Sequence, residues 1–106
     1  MKYCQWDIWD AWVAYEDDPS LKDKRPVLIY TGTAYAIVGY KITRTDRGDE
    51  GAEMRIMEWQ KAGLDAPSSI RLHKVLPLRE EDLVRKRGTL SAGDKLKFQI
   101  RISQLK

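Results

Sequence analysis

The sequence predicts a mainly β protein, folded as a small antiparallel barrel with short helices. Short apolar and aromatic segments follow one another with polar turns between them, and strands that follow strands directly favour antiparallel pairing over a parallel sheet. The chain has 106 residues, which fits a single domain over residues 1–106. Hydrophobic residues make up 42% of it, more than a disordered chain contains, so we expect a folded core.

The first half of the chain contains the clearest strand signals. Residues 6–15 are aromatic and β-prone, with Trp9 and Val13 on one face of a strand and Ile8 and Trp12 on the other. Tryptophan recurs every third residue here, which also fits a helical stripe, but the short length and the turn signals that follow favour a strand. The predicted order continues with a polar loop over 16–25, a buried strand over 26–30, a turn over 31–33 and a strand over 35–43.

The second half alternates turns with shorter elements. The predicted order is a charged turn over 44–51, an imperfect strand over 52–59, a loop over 60–68, a strand over 69–76 and a short helix over 80–88. That helix is expected because acidic residues open it, basic residues close it, and Gly88 fits the position just past its end. Ser91 followed by Asp94 predicts the start of another helix, whereas the alternation over 96–102 fits a strand as well as a helix.

The residue counts exclude several kinds of site. One cysteine cannot form an internal disulfide, and with one histidine it cannot build a Cys/His zinc cluster, which fits a reducing compartment. No apolar run is long enough for a membrane helix, Asp7 and Asp10 interrupt any signal-peptide core, and the glycine motifs of nucleotide sites are absent. We therefore expect a cytoplasmic protein without a metal or cofactor. Its net charge of +3 neither requires nor excludes a polyanionic partner.

Three segments carry a resemblance to a known family. They are Asp7-Ile8-Trp9 followed by Lys24-Arg25-Pro26-Val27-Leu28-Ile29; Ala36-Ile37-Val38 running on to Thr43; and Ser69-Ile70-Arg71-Leu72-His73-Lys74-Val75, continued by Leu83 and Gly88-Thr89-Leu90-Ser91. In this order, and over nearly the whole chain, they resemble the MazF/PemK family of toxins from type II toxin–antitoxin systems. Many members carry a glycine before the first of these segments, where this chain has Trp6.

The resemblance implies a fold and a function. The family adopts an SH3-like, CcdB-like barrel and forms homodimers, and its members are metal-independent endoribonucleases that cut single-stranded RNA at short sequences. A cognate antitoxin protein neutralises them by laying a peptide across the RNA site. The alternative is a non-catalytic barrel that binds a protein target, because CcdB-type toxins share the fold and act on DNA gyrase.

Four residues are the expected catalytic group. Metal-free RNA cleavage uses the 2′-hydroxyl of the substrate as nucleophile and needs a base, an acid and cations around the phosphate. Arg25 matches the family's catalytic arginine and would clamp the phosphate, while Thr43 matches a hydroxyl residue that would bond the phosphate or the 2′-hydroxyl. Arg71 and His73 match an Arg-x-Asp pair of some members, with histidine in place of the acid. A loop-end arginine, a strand-end threonine and a surface histidine are the structural alternatives.

A second group is expected to bind the RNA without taking part in the chemistry. Lys22 and Lys24 fall in a segment that resembles the family's mobile loop beside the RNA groove, unless that loop is an ordinary charged hairpin tip. The remaining expected RNA contacts are Lys41, Arg44 and Ser69. The tryptophans are expected in the core and at a dimer interface, with Trp59 as the one that could stack on RNA.

Overall fold

Antiparallel pairing between strands organises the whole structure. This computed structural model describes residues 3–15, 17–32, 37–44 and 51–105. The strands are β1 (Asp7–Ala14), β2 (Lys22–Gly32), β3 (Ile37–Thr43), β4 (Glu53–Arg55), β5 (Ser69–Leu78) and β6 (Leu83–Thr89); a 3-10 turn spans Glu80–Asp82, and helix α1 spans Ala92–Gln104. In the described ranges these strands form one six-stranded sheet in the order β4-β5-β3-β2-β1-β6, with every neighbouring pair antiparallel. The predicted mainly β, barrel-like architecture is confirmed.

The sheet is buried on both of its faces. Ile8 and Leu28 are paired across β1 and β2 within a first core, whereas Trp9 and Val27, the adjacent pair, lie in a second core. Successive side chains of a strand point to opposite faces, so these two strands separate the cores. This double burial explains why the strand over 26–30 reads as a continuous apolar run rather than as an alternation.

Strand β5 crosses from one core to the other. Ile70 and Leu72 are buried in the first core, whereas Leu78 is buried in the second. All three have the same parity and would share a face in a regular strand, so β5 has to change its orientation between them. The pairing of β5 with β3 shifts its register between Tyr40 and Ile42, in the same stretch, as a bulged strand does.

Helix α1 covers the first core. Ser91 is its N-cap, and its hydroxyl accepts a hydrogen bond from the Asp94 N–H at 3.2 Å, so the predicted helix start is confirmed. Phe98 is fully buried, and its ring centroid lies 5.0–5.7 Å from those of three aromatic side chains. Burial of Phe98 resolves the choice between strand and helix for the C-terminal segment in favour of the helix.

The short helix predicted over 80–88 is wrong. Only Glu80–Asp82 turn, as a single 3-10 turn, and the chain then extends as β6 along β1. The basic residues that were expected to favour a helix end instead meet carboxylates on the neighbouring strand. Lys86 lies 3.4 Å from Asp7, and Arg85 lies 3.3 Å from Asp10. Cross-strand ion pairs and backbone pairing therefore outweigh the complementarity to a helix dipole.

The polar loop predicted over 16–25 is too long, because its last four residues belong to β2. Lys22 pairs with Ala14 and Arg25 with Ala11, so the charged segment extends the hairpin with β1. Backbone pairing does not require apolar side chains, so hydropathy gave no sign of it. Likewise, Thr31 and Gly32 continue β2 instead of starting the turn predicted over 31–33.

The other boundaries agree in part. The strand predicted over 52–59 is limited to Glu53–Arg55, and the strand over 69–76 extends to Leu78. Of the strand predicted over 35–43, residues 37–43 form β3, and the first two positions lie outside the described residues. The charged turn predicted over 44–51 also lies mostly outside them.

Two glycines let the loop over 60–68 lie directly against β6. Gly63 has a φ of 81°, a conformation that favours glycine, and a side chain there would overlap the Arg87 carbonyl. A Cβ on Gly88 would lie 2.5 Å from the carbonyl oxygen of Ala62. Gly88 is thus needed for close approach of two backbones, and not for ending a helix. This contact positions Asp65, which follows in the same loop.

We expect Gly63→Ala to lower the free energy of unfolding by at least about 2 kcal/mol, since alanine adds both an unfavourable φ and a steric overlap. Gly93→Ala is the matched control, because nothing lies within 4 Å of a Cβ there and the residue is helical. That control should be neutral or stabilise by up to about 1 kcal/mol. Urea unfolding measures both; equal stability of Gly63→Ala and the wild type would contradict the proposed contact.

Candidate nucleic-acid interface and active site

Arg25 lies at the centre of the region where the predicted site residues meet. It is on β2, opposite Ala11, and its Nε lies 3.1 Å from Oδ2 of Asp23, two residues earlier. Its side chain is 42% exposed, so the guanidinium can still reach a ligand. The pairing of β2 with β3 begins at Val27 and Lys41, and Arg25 and Thr43 each lie two residues beyond that end.

The next two predicted site residues, Thr43 and Ser69, lie on neighbouring strands of the sheet. They are paired between β3 and β5, and Thr43 is half-buried. Ser69 is fully buried, and its hydroxyl has no hydrogen-bond partner within the described chain. Arg25 and Thr43 thus lie near the same end of the β2–β3 pairing and are both partly exposed, whereas Ser69 is buried.

Arg71 and His73 lie farther along β5. Arg71 donates from Nε to Oε1 of Glu53 at 3.1 Å, and Glu53 is its cross-strand partner on β4. His73 is exposed, in the stretch where β5 changes orientation. One strand, β3, separates β5 from β2, so Arg71 and Arg25 are about 10 Å apart across the sheet. Neither the Arg71 nor the His73 side chain lines the pocket that opens beside Arg25.

A charged pocket of about 520 Å³ opens beside Arg25. Five basic and three acidic side chains line it, so it carries a net positive charge. The basic ones are Lys24, Arg25, Arg44, Arg85 and Arg87, and the acidic ones are Asp10, Asp23 and Asp65. Pro26, Ile42 and Leu64 add apolar surface. The combination of apolar walls with converging charges is typical of ligand sites.

Arg87 links the two carboxylates at the back of the charged pocket. Its side chain is 12% exposed, and it lies 2.6 Å from Asp65 and 3.6 Å from Asp10. The hydrogen bond to Asp65 raises the pKa of Arg87, and the same bond lowers the pKa of Asp65. Arg85 reaches Asp10 from the outer side at 3.3 Å and keeps a side chain that is 67% exposed. Arg87 and Arg85 thus hold the two carboxylates in place, and the Arg87–Asp65 hydrogen bond favours the charged forms of its two partners.

Only some of the predicted site residues line the charged pocket. Lys24, Arg25 and Arg44 line it, and neither Lys24 nor Arg44 has an ion-pair partner within the described ranges. Lys22 lies at the start of β2, 3.5 Å from Asp82, and Lys41 is half-buried opposite Val27.

Five charged lining residues were not predicted from the sequence: Asp10, Asp23, Asp65, Arg85 and Arg87. The alternation of Arg85 and Arg87 around Lys86 was the available signal, because a strand places alternate residues on one face. The incorrect helix over 80–88 concealed it.

Comparison with known proteins identifies the family of the chain. A family model described as PemK-like, MazF-like toxin of type II toxin–antitoxin system matches residues 4–105, nearly the whole chain. The chain belongs to this toxin family. A search of curated proteins found no match. Membership implies an antitoxin partner for this PemK-like toxin.

Trp6 is a departure that the backbone of this PemK-like toxin accommodates. Its φ is 76°, in the left-handed region where glycine is favoured. This conformation agrees with the glycine that many family members carry at the position of Trp6. The Trp6 N–H donates to Ile29 at 2.7 Å, and its carbonyl accepts from Leu90 at 2.9 Å. Its ring packs edge-on against Phe98. Aromatic packing and two backbone hydrogen bonds hold the unusual conformation.

The remaining tryptophans of the toxin have different environments. Trp9 is buried in the second core, and Trp59 packs half-buried against the first. Trp12 is 45% exposed. Within the described chain, no helix combines the length and the apolar character that a membrane span requires.

Proposed function

We propose that this toxin is a metal-independent endoribonuclease that cleaves single-stranded RNA at short sequences and is neutralised by a cognate antitoxin. Family membership supports the proposal, because PemK-like toxins are typically endoribonucleases. The observation that carries it to this chain is the half-exposed guanidinium of Arg25, beside a pocket with net positive charge. An RNA backbone approaching that pocket is attracted by its net positive charge.

Arg25 takes the central role in the proposed chemistry. The 2′-hydroxyl attacks the neighbouring phosphorus, the bond to the 5′-oxygen breaks, and the products are a 2′,3′-cyclic phosphate and a 5′-hydroxyl. Negative charge grows on the non-bridging oxygens during attack, and a guanidinium donates two hydrogen bonds to such oxygens at once. Thr43, at the end of β3, bonds the phosphate or the 2′-hydroxyl.

Arg71 and His73 complete the proposed set from a different part of the sheet. Because neither lines the pocket beside Arg25, in this proposal they serve a neighbouring segment of the same RNA or the site of a second copy in a homodimer. An imidazole exchanges protons near neutral pH, which suits a general acid or base. Lys22, Lys24, Lys41 and Arg44 contact the RNA backbone in this proposal, and Ser69 supports the position of Thr43. The protein acts in the cytoplasm.

Cleavage of a long single-stranded RNA by the purified toxin in EDTA tests the proposal. We expect discrete cut sites, mapped by primer extension, at a rate that EDTA does not lower. The alternative, a non-catalytic toxin that binds a protein such as DNA gyrase, predicts intact RNA together with gyrase binding in a pull-down with purified components. RNA that stays intact both with and without EDTA overturns the nuclease proposal.

A further inference from the structure

We propose that the charged pocket is a guanine-binding subsite, in which Asp65 and Arg85 contact the base edge of one nucleotide of the RNA. The inference rests on the proposed function only in taking RNA as the ligand. It adds a recognition element that was not among the predicted site residues. The pocket volume of about 520 Å³ is within the range of sites that hold small ligands.

The polar groups of the pocket match one base better than the others. Asp65 uses only Oδ2 for its bond to Arg87 among the described residues, and its side chain is 71% exposed. Arg85 donates a hydrogen bond from Nε to Asp10. Its terminal nitrogens donate no other hydrogen bond among the described residues, so they can donate to a ligand. Guanine presents two adjacent donors, N1–H and the 2-amino group, for a carboxylate, and acceptors O6 and N7 for an arginine. Adenine, cytosine and uracil lack that pair of adjacent donors.

Arg87 is a positioning residue for this contact. Its buried guanidinium lies between Asp10 and Asp65, so the Asp65 carboxylate is held in place although it is exposed. The close approach of Gly63 to the Arg87 carbonyl fixes the loop that carries Asp65. A preorganised carboxylate loses little conformational entropy when a base binds.

The surroundings favour a nucleotide over an acidic peptide. Pro26, Ile42 and Leu64 offer an apolar wall for the face of a base, while Lys24 and Arg44 are available for its phosphate. Acidic peptide side chains could pair with the cations of the pocket but would offer no hydrogen-bond donors to its three carboxylates. A guanine nucleotide supplies donors to the carboxylates and an anion to the lysine and arginines.

Binding to RNA that cannot be cleaved separates this inference from the nuclease proposal. The probes are 2′-O-methyl uridine oligonucleotides with one guanine, one hypoxanthine or one adenine, and the readout is fluorescence anisotropy. Hypoxanthine lacks only the 2-amino group of guanine. Wild-type protein should bind the guanine probe about tenfold more tightly than either of the others, the usual effect of a hydrogen bond to a charged group.

Asp65→Asn should reduce this preference to about twofold or less, and Arg85→Gln should weaken binding of the guanine probe about fivefold or more. Glu81→Gln is the matched control, since Glu81 is also 71% exposed and paired with an arginine, Arg79, outside the pocket. It should retain the wild-type preference. Equal affinity of wild-type protein for the three probes, or an unchanged preference in Asp65→Asn, overturns the subsite. Guanine preference without cleavage would reject the nuclease proposal and support the subsite. Cleavage without guanine preference would support the nuclease proposal and reject the subsite.

Discussion

Arg25→Ala is expected to lower the rate of RNA cleavage by about a thousandfold without unfolding the protein. Removing one donor that stabilises charge in a transition state commonly costs 10²–10³ in rate, and Arg25 supplies two such donors in the proposed site. The stability should change by no more than about 0.5 kcal/mol, because Arg25 is 42% exposed and forms its ion pair with the similarly exposed Asp23. Single-turnover cleavage of a defined RNA, together with thermal unfolding, measures both quantities.

Two further variants make this result specific. Arg25→Lys retains the charge but not the planar pair of donors, so it should recover only part of the lost rate. Arg79→Ala removes another arginine that is exposed and paired with a nearby carboxylate, and it should leave cleavage unchanged. An Arg25→Ala protein that is folded and cleaves RNA at the wild-type rate would contradict the assignment of Arg25 as the phosphate clamp.

Asp94→Ala is expected to lower the free energy of unfolding by about 3 kcal/mol. The Asp94 side chain is buried and joins the first turn of α1 to the loop after β4. Its two oxygens accept hydrogen bonds from the N–H groups of Met57 and Glu58 at 3.0 and 2.9 Å, and from the Ser91 hydroxyl at 3.2 Å. Alanine leaves these donors without their acceptor and removes a favourable charge near a helix N-terminus.

Urea unfolding gives the size of this effect. Asp94→Asn should be less damaging, because one carbonyl oxygen remains to accept a bond. Asp17→Ala is the control, since Asp17 is exposed in the β1–β2 loop and should change stability by less than about 0.5 kcal/mol. If Asp94→Ala is as stable as this control, the carboxylate does not hold α1 against the sheet.

The sequence predicts the central strands and the start of α1 because their signals are local. Alternation around Trp9 and the apolar run near Leu28 identify β1 and the core of β2, and Ser91 with Asp94 identifies the cap. Strand β6 was mistaken for a helix because its charges are explained only by Asp7 and Asp10, which are distant in sequence. Pairing partners of that kind are set by the tertiary structure.

The candidate site was likewise predictable only where its signals lie in the sequence itself. Arg25 and Thr43 come from the family resemblance, and both lie just beyond one end of the β2–β3 pairing. The charged pocket was not predictable, because it needs the loop that carries Asp65 to lie against β6 through Gly63. The orientation change in β5 beyond Leu72 was not predictable either, because it depends on burial in two different cores.

A single 2′-deoxy substitution tests the proposed chemistry most directly. Once the toxin's cut sites are mapped, one oligonucleotide is made as RNA throughout and another lacks only the 2′-hydroxyl at the nucleotide before the cut. We predict cleavage of the first in EDTA, with a 2′,3′-cyclic phosphate end, and no cleavage of the second at that position. Cleavage of the deoxy-substituted strand at the same bond would contradict attack by the 2′-hydroxyl, and with it the proposed role of Arg25.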